Sequence, residues 1–545
     1  MNGCILVVDD EPLWREQLVE ILDQEGYIVK AVSTAKEALD ILQQGIYHLL
    51  ILDIRLEGND QNHTDGMTLL KSMKERGLDE ATKIIMLSAH GTKEDMRIAF
   101  RDFNVADFLP KDDFNSQHFL ENVLTAFNNH VGINLTLDIL WADDGAKQAV
   151  RALQIENDRM EQNENDRMEQ NEAFYERAER ELEDLLRRLF PKAESLIVRQ
   201  LTSQPSRSGT GVLSVQPFYP TGGGHVVVVK FGHFPRIKEE GQHFKDYVQP
   251  FVSGARHTTI ENHARTSLLG GIVYSLLGTT NDKWVDFGKF YRQNSIQRIT
   301  CALDRLFHET CGSWYANPGR WLPRNLSTDY CRQFGCGIEQ LEDSMKDTLS
   351  SIKRSNGQLY FTHLKENRSF TNPFPTIKGR AFIYPTYESI THGDLNQNNI
   401  LVDNAEGMWL VDFENTERSH ILRDVATLDS IVRFQLLEME DATLDERLMM
   451  EEALLSITHF SQLERLASVF EVKNQALAKA YQTTCHLRIL ARWAIDQNPC
   501  DDMDEYFVAL LYNALFTLQF LSLSPRQREH ALLSASLLID QLIKK

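Results

Sequence analysis

Short apolar runs alternate with amphipathic stretches over the first 130 residues of the chain. The strand-like runs are CILVV, YIVKAV, LLILD, KIIML and ADFLP. Between them lie stretches, such as 14–24 and 35–43, whose apolar residues are spaced three and four positions apart. Strands that alternate with helices indicate a parallel, doubly wound sheet. We therefore predict an α/β domain over residues 1–130.

A long polar segment without proline follows this domain and extends from Asp144 to Leu189. It contains the tandem repeat ENDRMEQN at 156–163 and 164–171, whose eight-residue period does not match a heptad. Apolar residues on both flanks keep helical spacing, which predicts one long helix of about 70 Å. For the linker, residues 131–194, two interpretations remain open: a solvated spacer, or a coiled coil that joins two copies into a homodimer. The apolar track consists of Ala146, Val150, Leu153, Phe174, Ala178, Leu182, Leu185 and Leu189.

The pattern is again that of a globular protein from about residue 195 onward. The runs SVQPF and HVVVVKFG predict strands, whereas most of the remaining sequence predicts helices. We place a smaller, strand-containing lobe at 195–280. A mainly helical lobe, which includes a loop-rich insertion around 315–324, occupies 281–545. The chain is thus predicted to be multidomain.

Polar residues directly follow four of the N-terminal strands. Ligands of open parallel sheets bind at the carboxyl ends of the strands, so these side chains are expected to meet there. Three carboxylates in one cleft repel each other unless a divalent cation joins them, and hard oxygen ligands suit Mg²⁺. A carboxylate can then attack a phosphoryl donor, while a lysine and a hydroxyl hold the phosphoryl oxygens. The residues are Asp9 and Asp10 after the first strand, Asp53 after the third, Ser88 after the fourth and Lys111 after the fifth.

With these residues in strand order, the segment resembles the receiver domain of two-component response regulators. The resemblance implies a flavodoxin-like fold and phosphorylation of Asp53 by a sensor histidine kinase. The sequence departs from the family pattern in two places, since Asp112 follows the lysine where proline is frequent and the loop after Asp53 is long. The site residues that the family implies are Asp9, Asp10, Asp53 and the backbone carbonyl of Arg55 for Mg²⁺, and Ser88, Phe108 and Lys111 for the switch.

The stretch THGDLNQNNILVD at 391–403 has the spacing of a kinase catalytic loop, with Asp394 five residues before Asn399. The next strand, in WLVDFE, ends at Asp412. Phosphoryl transfer from ATP requires a carboxylate at the acceptor hydroxyl, ligands for Mg²⁺ and a lysine on the phosphates. The lysine candidate is Lys230, at the end of HVVVVK.

Two weaker signals accompany this loop. The stretch SGTGVLSV, with Gly209 and Gly211, is a candidate flap over the phosphates, although glycine-rich turns are common. In the predicted helix IKEEGQHFKDYVQPF, Glu240 shares a face with Phe244, whereas Glu239 points about 100° away. We therefore prefer Glu240 as the partner of the lysine.

Together these residues resemble the kinase-like phosphotransferases of the aminoglycoside phosphotransferase and choline kinase group, which have a bilobal α+β fold. The resemblance implies that Asp394 is the catalytic carboxylate and that Asn399 and Asp412 bind Mg²⁺. It also implies that Lys230 anchors ATP and that Asp424 braces the loop. It does not name the phosphate acceptor. Two alternatives remain: an inactive kinase-like scaffold, or a dimeric switch that acts only through protein contacts.

Composition narrows the partners of this 545-residue chain. Its formal net charge of −21 argues against DNA or anionic membranes as partners, because such contacts need clustered Lys and Arg. No apolar run is long enough to span a bilayer and no signal peptide is recognisable, so a cytoplasmic protein is expected. The spacing of Cys301, Cys311, Cys331 and Cys336 does not match a paired zinc motif, and reduced thiols are expected. The predicted function is a response regulator with a kinase-like output domain.

Overall fold

The structure is a computed structural model that divides the chain into two compact units. The first comprises Met1–Glu239 and Thr259–Ser275, and the second comprises Glu240–Thr258 and Leu276–Lys545. None of the helices in the described part of the chain has the length and apolar character needed to cross a membrane. The described residues are 3–56, 65–89, 93–142, 145–153, 164–201, 209–251, 257–277, 284–335, 337–348 and 351–544.

The N-terminal part of the first unit is an open five-stranded sheet. Its strand order is β2-β1-β3-β4-β5, and every neighbouring pair of strands is parallel. The central strands are continuous apolar runs because helices cover both faces of such a sheet. The predicted doubly wound fold is confirmed. The elements are β1 Cys4–Val8, α1 Pro12–Gln24, β2 Ile28–Val32, α2 Ala35–Gln44, β3 Leu49–Leu52, α3 Asp65–Glu75, α4 Leu78–Ala81, β4 Lys83–Ser88, α5 Lys93–Asp102, β5 Asp107–Pro110 and α6 Ser116–Ala126.

A second, seven-stranded sheet follows in the chain. Its order is β11-β12-β10-β8-β7-β6, with β9 added to β8. The leucines of α8 pack with alternate residues of β8, β10 and β12, so this helix covers one face of the sheet. The elements are β6 Asp138–Trp141, α7 Ala146–Ala149, α8 Glu164–Leu189, β7 Ser195–Gln200, β8 Gly211–Tyr219, β9 Gly222–Gly223, β10 Val227–His233, α9 Phe234–His243, β11 His257–Arg265 and β12 Leu269–Leu277.

The structure corrects two predictions about the linker. The helix does not run on unbroken from 144, because Leu153 has the extended backbone conformation that ends a short helical segment. The first copy of the repeat lies outside the described residues. The apolar track of α8 is also not available as a dimer seam, since Leu182 and Leu185 are fully buried in the core shared with the sheet. A stripe that packs inside its own chain cannot pair with a second copy, so the coiled-coil homodimer through this track is wrong.

The second unit is mainly helical and contains several small antiparallel sheets, β13-β20-β21, β14-β18, β15-β16-β17 and β19-β22. Cys301, Cys311 and Cys331 are free thiols, and Cys336 lies outside the described residues. The elements are β13 Trp284–Asp286, α10 Phe287–Gln293, α11 Ile296–Arg305, α12 Gly312–Tyr315, β14 Leu322–Asn325, α13 Leu326–Gln333, α14 Ile338–Thr348, β15 Ile352–Ser355, β16 Gln358–Phe361, β17 Ser369–Thr371, α15 Pro373–Ile377, β18 Ile383–Thr386, β19 Glu388–Thr391, β20 Ile400–Asp403, β21 Met408–Leu410, β22 Glu417–His420, α16 Arg423–Ile431, α17 Leu444–Leu455, α18 Gln475–Ala494, α19 Asp504–Thr517 and α20 Pro525–Ile543.

A buried cluster of charged residues fixes α16 in the helical core of this unit. The Arg433 guanidinium donates to Asp429 Oδ1 at 2.5 Å and to Glu451 Oε2 at 2.8 Å. The other oxygen of Glu451 lies 2.8 Å from His530 Nε2. Buried charges are tolerated only when they are paired and hydrogen bonded. Breaking one pair would therefore loosen the helix that begins beside the second candidate site.

We expect the second unit to lose stability as the pH falls from about 6.5 to about 4. Burial lowers the pKa of His530 from 6.5 to about 4, so in this range the unfolded chain binds a proton that the folded chain does not. The neutral, buried His530 contributes about 3 kcal/mol to the free energy of unfolding. This contribution is fully present above pH 6.5 and is lost as the pH falls toward 4. Denaturant titrations across this range measure it. His530→Gln should flatten the dependence of stability on pH, whereas His118→Gln, at an exposed position, should leave it unchanged. Equal pH dependence in wild type and His530→Gln would contradict the role given to His530.

Candidate phosphoryl-transfer sites

Three predicted carboxylates meet at the C-terminal edge of the receiver-like sheet. One oxygen from each of Asp9, Asp10 and Asp53 lies within 4.8 Å of the other two. Asp9 and Asp53 are buried, and Asp10 is half-buried. The parallel hydrogen bonding between β1 and β3 continues one residue past the end of β3, since Asp53 N donates to Val8 O at 2.9 Å. The strand ends therefore assemble the cluster that the sequence predicts.

Lys111 neutralises part of this negative charge. Its ammonium lies 2.6 Å from Asp53 Oδ2 and 2.7 Å from Asp9 Oδ2, and it is almost fully buried. Burial alone would lower the pKa of Lys111, but its hydrogen bonds to Asp53 and Asp9 raise it overall. Burial also raises the pKa of the Asp9 carboxyl, against the effect of the ammonium. Lys111 is therefore in position to contact any group bound to Asp53.

The donor set of this cleft fits Mg²⁺. Carboxylate oxygens are the ligands that this hard cation prefers, and three of them converge here from two strand ends. The Arg55 backbone also turns toward the cluster, because its N–H donates to Asp53 Oδ1 at 3.3 Å. That Arg55 supplies its carbonyl to the metal stays a prediction.

The two remaining switch residues lie beside Lys111. Ser88 is buried at the end of β4 and accepts a hydrogen bond from Lys111 N at its carbonyl, at 3.0 Å. Phe108 on β5 is half-buried and packs against the apolar core of one face of the sheet. Their positions agree with the predicted site, and their switch roles stay predictions.

Sequence reasoning missed Trp14, which lies in the first turn of α1. The Lys111 ammonium lies 5.2 Å from the centre of its ring, and Phe114 packs edge-on against it with ring centres 5.1 Å apart. An indole face attracts a nearby cation and shields it from water. The available signal was the stretch DDEPLW, in which the tryptophan follows the acidic pair by one helical turn.

The second site is built on the loop between β19 and β20, whose backbone is held from both sides. Asp424 accepts from the N–H of His392 at 2.8 Å and from the N–H of Gly393 at 3.1 Å. Thr416 donates to the His392 carbonyl, and Arg423 donates to the Gly393 carbonyl at 2.7 Å. All four backbone polar groups of these two residues are therefore satisfied, and the predicted bracing role of Asp424 is confirmed.

Gly393 has to be a glycine for two reasons. Its φ of +83° lies in the left-handed region, which other residues rarely adopt. A Cβ atom at this position would also lie 2.0 Å from the Asn415 carbonyl oxygen. His392 also braces the loop, since its Nε2 lies 3.1 Å from Val411 O. The motif HGD thus has a structural reason at its first two positions.

The loop brings Asp394 and Asn399 together. The Asn399 amide donates to the Asp394 carbonyl at 2.9 Å and to its carboxylate at 3.2 Å. Val411 N donates to Asn399 O at 3.1 Å, which places Asp412 next to the strand end that carries Asn399. Asp412 adopts a φ of +72°, a strained conformation for a residue with a Cβ. Such strain persists where the surroundings impose it, and it is concentrated at functional sites.

Glu240 contacts the segment that follows Asp412. It is buried, and its Oε1 accepts from Phe413 N at 3.2 Å, whereas Glu239 is exposed. The Phe413 ring packs against His392, with ring centres 5.4 Å apart, so the residue is held from two sides. Glu240 is thus the buried one of the two glutamates, and its pairing with a lysine stays a prediction.

Lys230 and the glycine-rich stretch belong to the first unit. Lys230 is buried in β10 between Val229 and Phe231, which face the α8 core, so its side chain points to the other face of the sheet. Gly211 is required for packing, since a Cβ there would lie 2.3 Å from the Phe231 ring. Gly209 adopts a φ of +63° just before β8. Their contact with phosphates stays a prediction.

Residues 5–123 match the response regulator receiver domain family. The chain is 35% identical over 91 residues to sporulation initiation phosphotransferase F of Bacillus subtilis, covering 17% of this chain and 68% of that protein. It is 37% identical over 108 residues to the uncharacterized 14.6 kDa protein in the sodA1 3′ region of Leptolyngbya boryana, covering 20% of this chain and 77% of that protein. The crystal structure of the response regulator protein TrrA from Thermotoga maritima in complex with Mg(2+)-BeF is 32% identical, with a TM-score of 0.19, and covers 23% of this chain and 97% of that one.

The remainder of the chain matches a different family. Residues 193–356 and 365–519 match Ternary complex associated domain 9, and these two segments make up more than half of the chain. The match includes the loop with Asp394 and Asn399, as well as Lys230 and Asp412. The chain therefore belongs to the Ternary complex associated domain 9 family and begins with a response regulator receiver domain.

Proposed function

We propose that this protein is a response regulator in which phosphorylation of Asp53 controls an ATP-dependent phosphotransferase site in the second family domain. Receiver domains are phosphorylated on an aspartate in two-component systems, typically by a sensor histidine kinase. They bind Mg²⁺ in an acidic pocket, which here is the cluster of Asp9, Asp10 and Asp53. We thus propose that Asp53 is the phosphoacceptor and that the second domain transfers phosphate from ATP.

The nucleophile in this proposal is Asp53, which follows the central strand β3 of the sheet. An oxygen of its carboxylate forms a bond to phosphorus, while the bond between phosphorus and the donor breaks. The leaving atom is an imidazole nitrogen when a sensor histidine kinase is the donor, and an acetate oxygen when acetyl phosphate is the donor. Lys111 already contacts Asp53 Oδ2 and can move to a phosphoryl oxygen without leaving the site. Asp9 and Asp10 would supply the remaining carboxylates for Mg²⁺, and a cation held there would offset the charge of the phosphoryl group.

The strained Asp412 beside the braced loop is the observation that carries the second part of the proposal. A left-handed aspartate at a strand end is costly by about 1–3 kcal/mol. The fold maintains it next to the strand end of Asn399, whose amide in turn holds Asp394. Asn399 and Asp412, whose side-chain oxygens could bind a metal, thus lie close to Asp394, whose carboxylate could contact a phosphate acceptor.

The residues would then divide the work of phosphoryl transfer. Asn399 and Asp412 would hold Mg²⁺ on the phosphates of ATP, and Lys230 would bind a phosphate oxygen. Asp394 would orient the acceptor hydroxyl and accept its proton. The acceptor oxygen would bond to the γ-phosphorus as the bond to the leaving ADP oxygen breaks.

Nucleotide binding and turnover by the wild-type protein test this proposal directly. We expect ATP to raise the melting temperature only when Mg²⁺ is present, because the phosphates need a cation bridge. Phosphate or ADP release should also change when the receiver is phosphorylated with acetyl phosphate. If ATP neither binds nor turns over in either state, the domain is a scaffold and the enzymatic proposal is wrong.

A further inference from the structure

The receiver is attached to α8 at the N-terminal ends of its strands, opposite the C-terminal ends that carry the phosphorylation site. His48, which directly precedes β3, is fully buried at this edge. Its Nδ1 accepts the N–H of Cys4, the first residue of β1, at 2.8 Å. The ring proton therefore resides on Nε2 and is donated to Asp184 Oδ1 of α8, 2.7 Å away. One imidazole thus joins the starts of two receiver strands to the helix.

Asp184 extends this contact to a third strand. Its other oxygen accepts from Arg188 Nε at 2.7 Å, and Arg188 Nη1 donates to the carbonyl of Ala81 at 2.7 Å. Ala81 is the last residue of α4, two residues before β4. Although burial would raise the pKa of Asp184, Arg188 and His48 lower it to about 2, so the carboxylate stays charged. Charged hydrogen bonds in a buried site are strong and costly to break.

A second group of polar contacts begins about two helical turns earlier on α8. Arg177 donates to the carbonyl of Gln43 at 2.6 Å and to Glu181 at 2.9 Å. Ser267, in the turn before β12, donates to Glu181 at 2.7 Å and lies 3.0 Å from the carbonyl of Gly45. Gln43 and Gly45 both belong to the end of α2, next to His48. The helix is therefore bound to the receiver at two places about two turns apart, at Arg177 and at Asp184.

The other face of α8 belongs to the core of the seven-stranded sheet. Leu185 and Leu189 pack so closely on this sheet that a Cβ at Gly271 would lie 2.9–3.0 Å from their methyl groups. Val229 and Phe231, the neighbours of Lys230 on β10, lie in the same core. One helix thus contacts both the starts of the receiver strands and the strand that carries the predicted ATP-binding lysine.

We propose that phosphorylation at Asp53 acts on the second sheet by stabilising α8, through a permanent clamp made by His48, Asp184 and Arg188. The clamp holds the starts of β1, β3 and β4, and the other ends of these strands carry Asp9, Asp53 and Ser88. A ligand at the phosphorylation site stabilises every segment that can open only together with the receiver. The inference rests on ligand binding at Asp53 and does not require the ATP chemistry.

Hydrogen exchange on the full chain tests this inference, with Mg²⁺ and beryllofluoride as the phosphoryl mimic. At a beryllofluoride concentration about ten times its Kd, amide exchange at 175–189 should slow about tenfold in wild type. Calorimetric titration measures the occupancy of the site independently. Unchanged exchange in α8 despite full occupancy would overturn the proposal. Absence of beryllofluoride binding would remove its basis, whereas failure of ATP turnover alone would leave it intact.

Variants of the clamp make the test specific. In the double variant Asp184→Asn with Arg188→Met, both charges are removed, so no unpaired charge remains buried. Beryllofluoride should still bind, but the slowing at 175–189 should shrink to about twofold. His48→Leu should give the same loss by a different route, which guards against misfolding of either variant. Arg180→Ala, an exposed residue on the same helix, should retain the full tenfold effect. Full slowing in both clamp variants would contradict the proposed role of the clamp.

Discussion

Asp53→Asn should abolish the uptake of phosphate from acetyl phosphate and Mg²⁺. The amide is a poor nucleophile, and the substitution also removes one of the three carboxylates that draw Mg²⁺ into the cleft. We expect wild type to be modified and the variant to show no modification above background. Intact-mass measurement or a phosphate-affinity gel would record the difference.

Two further variants separate nucleophile from metal ligand in this cleft. Asp9→Asn should weaken the dependence on Mg²⁺ and slow the uptake without moving the site of modification, because Asp9 contacts Lys111 and would bind the metal rather than phosphorus. Asp23→Asn, an exposed carboxylate on α1, should behave as wild type. Undiminished phosphorylation of Asp53→Asn would show that another residue is the acceptor.

Asp412→Ala and Asp394→Ala should fail in different ways. Loss of Asp412 removes an oxygen ligand for Mg²⁺, so the thermal shift produced by ATP with Mg²⁺ should fall sharply. Asp394→Ala should keep most of that shift but lower transfer by about 10²–10⁴-fold, because general base catalysis contributes on that scale. Thermal shift and phosphate release, measured on the same preparations, would reveal the contrast.

The loop geometry calls for a careful control of this pair. Asp394 accepts hydrogen bonds from Asn396 and Asn399, so its removal also loosens the loop. Asp394→Asn keeps an acceptor oxygen for those amides while removing the base, and it should reproduce the loss of transfer. Exposed Asp496→Ala should leave both measurements unchanged. Equal loss of nucleotide binding in Asp394→Asn and Asp412→Ala would rule out the proposed division of roles.

The acidic cleft of the receiver could be predicted from the sequence because its information is local. Each polar residue directly follows a buried strand, and parallel strands place their carboxyl ends along one edge. The loop at 391–399 is also encoded locally, because Asp394 and Asn399, five residues apart, are joined by a hydrogen bond. Trp14 was missed because nothing in the sequence indicates that its ring meets Lys111.

The sequence by itself determined the doubly wound receiver, the cluster of Asp9, Asp10 and Asp53, and the amphipathic character of α8. Only the tertiary structure decided what the apolar stripe of α8 contacts, namely the second sheet rather than another copy. It also decided that His48 and Asp184, 136 residues apart, form one buried hydrogen bond. The physical reason is that an apolar stripe in a sequence indicates only that it must be buried, and a lone polar residue only that it needs a hydrogen-bond partner when buried. The partner depends on contacts between distant segments, which no local pattern encodes.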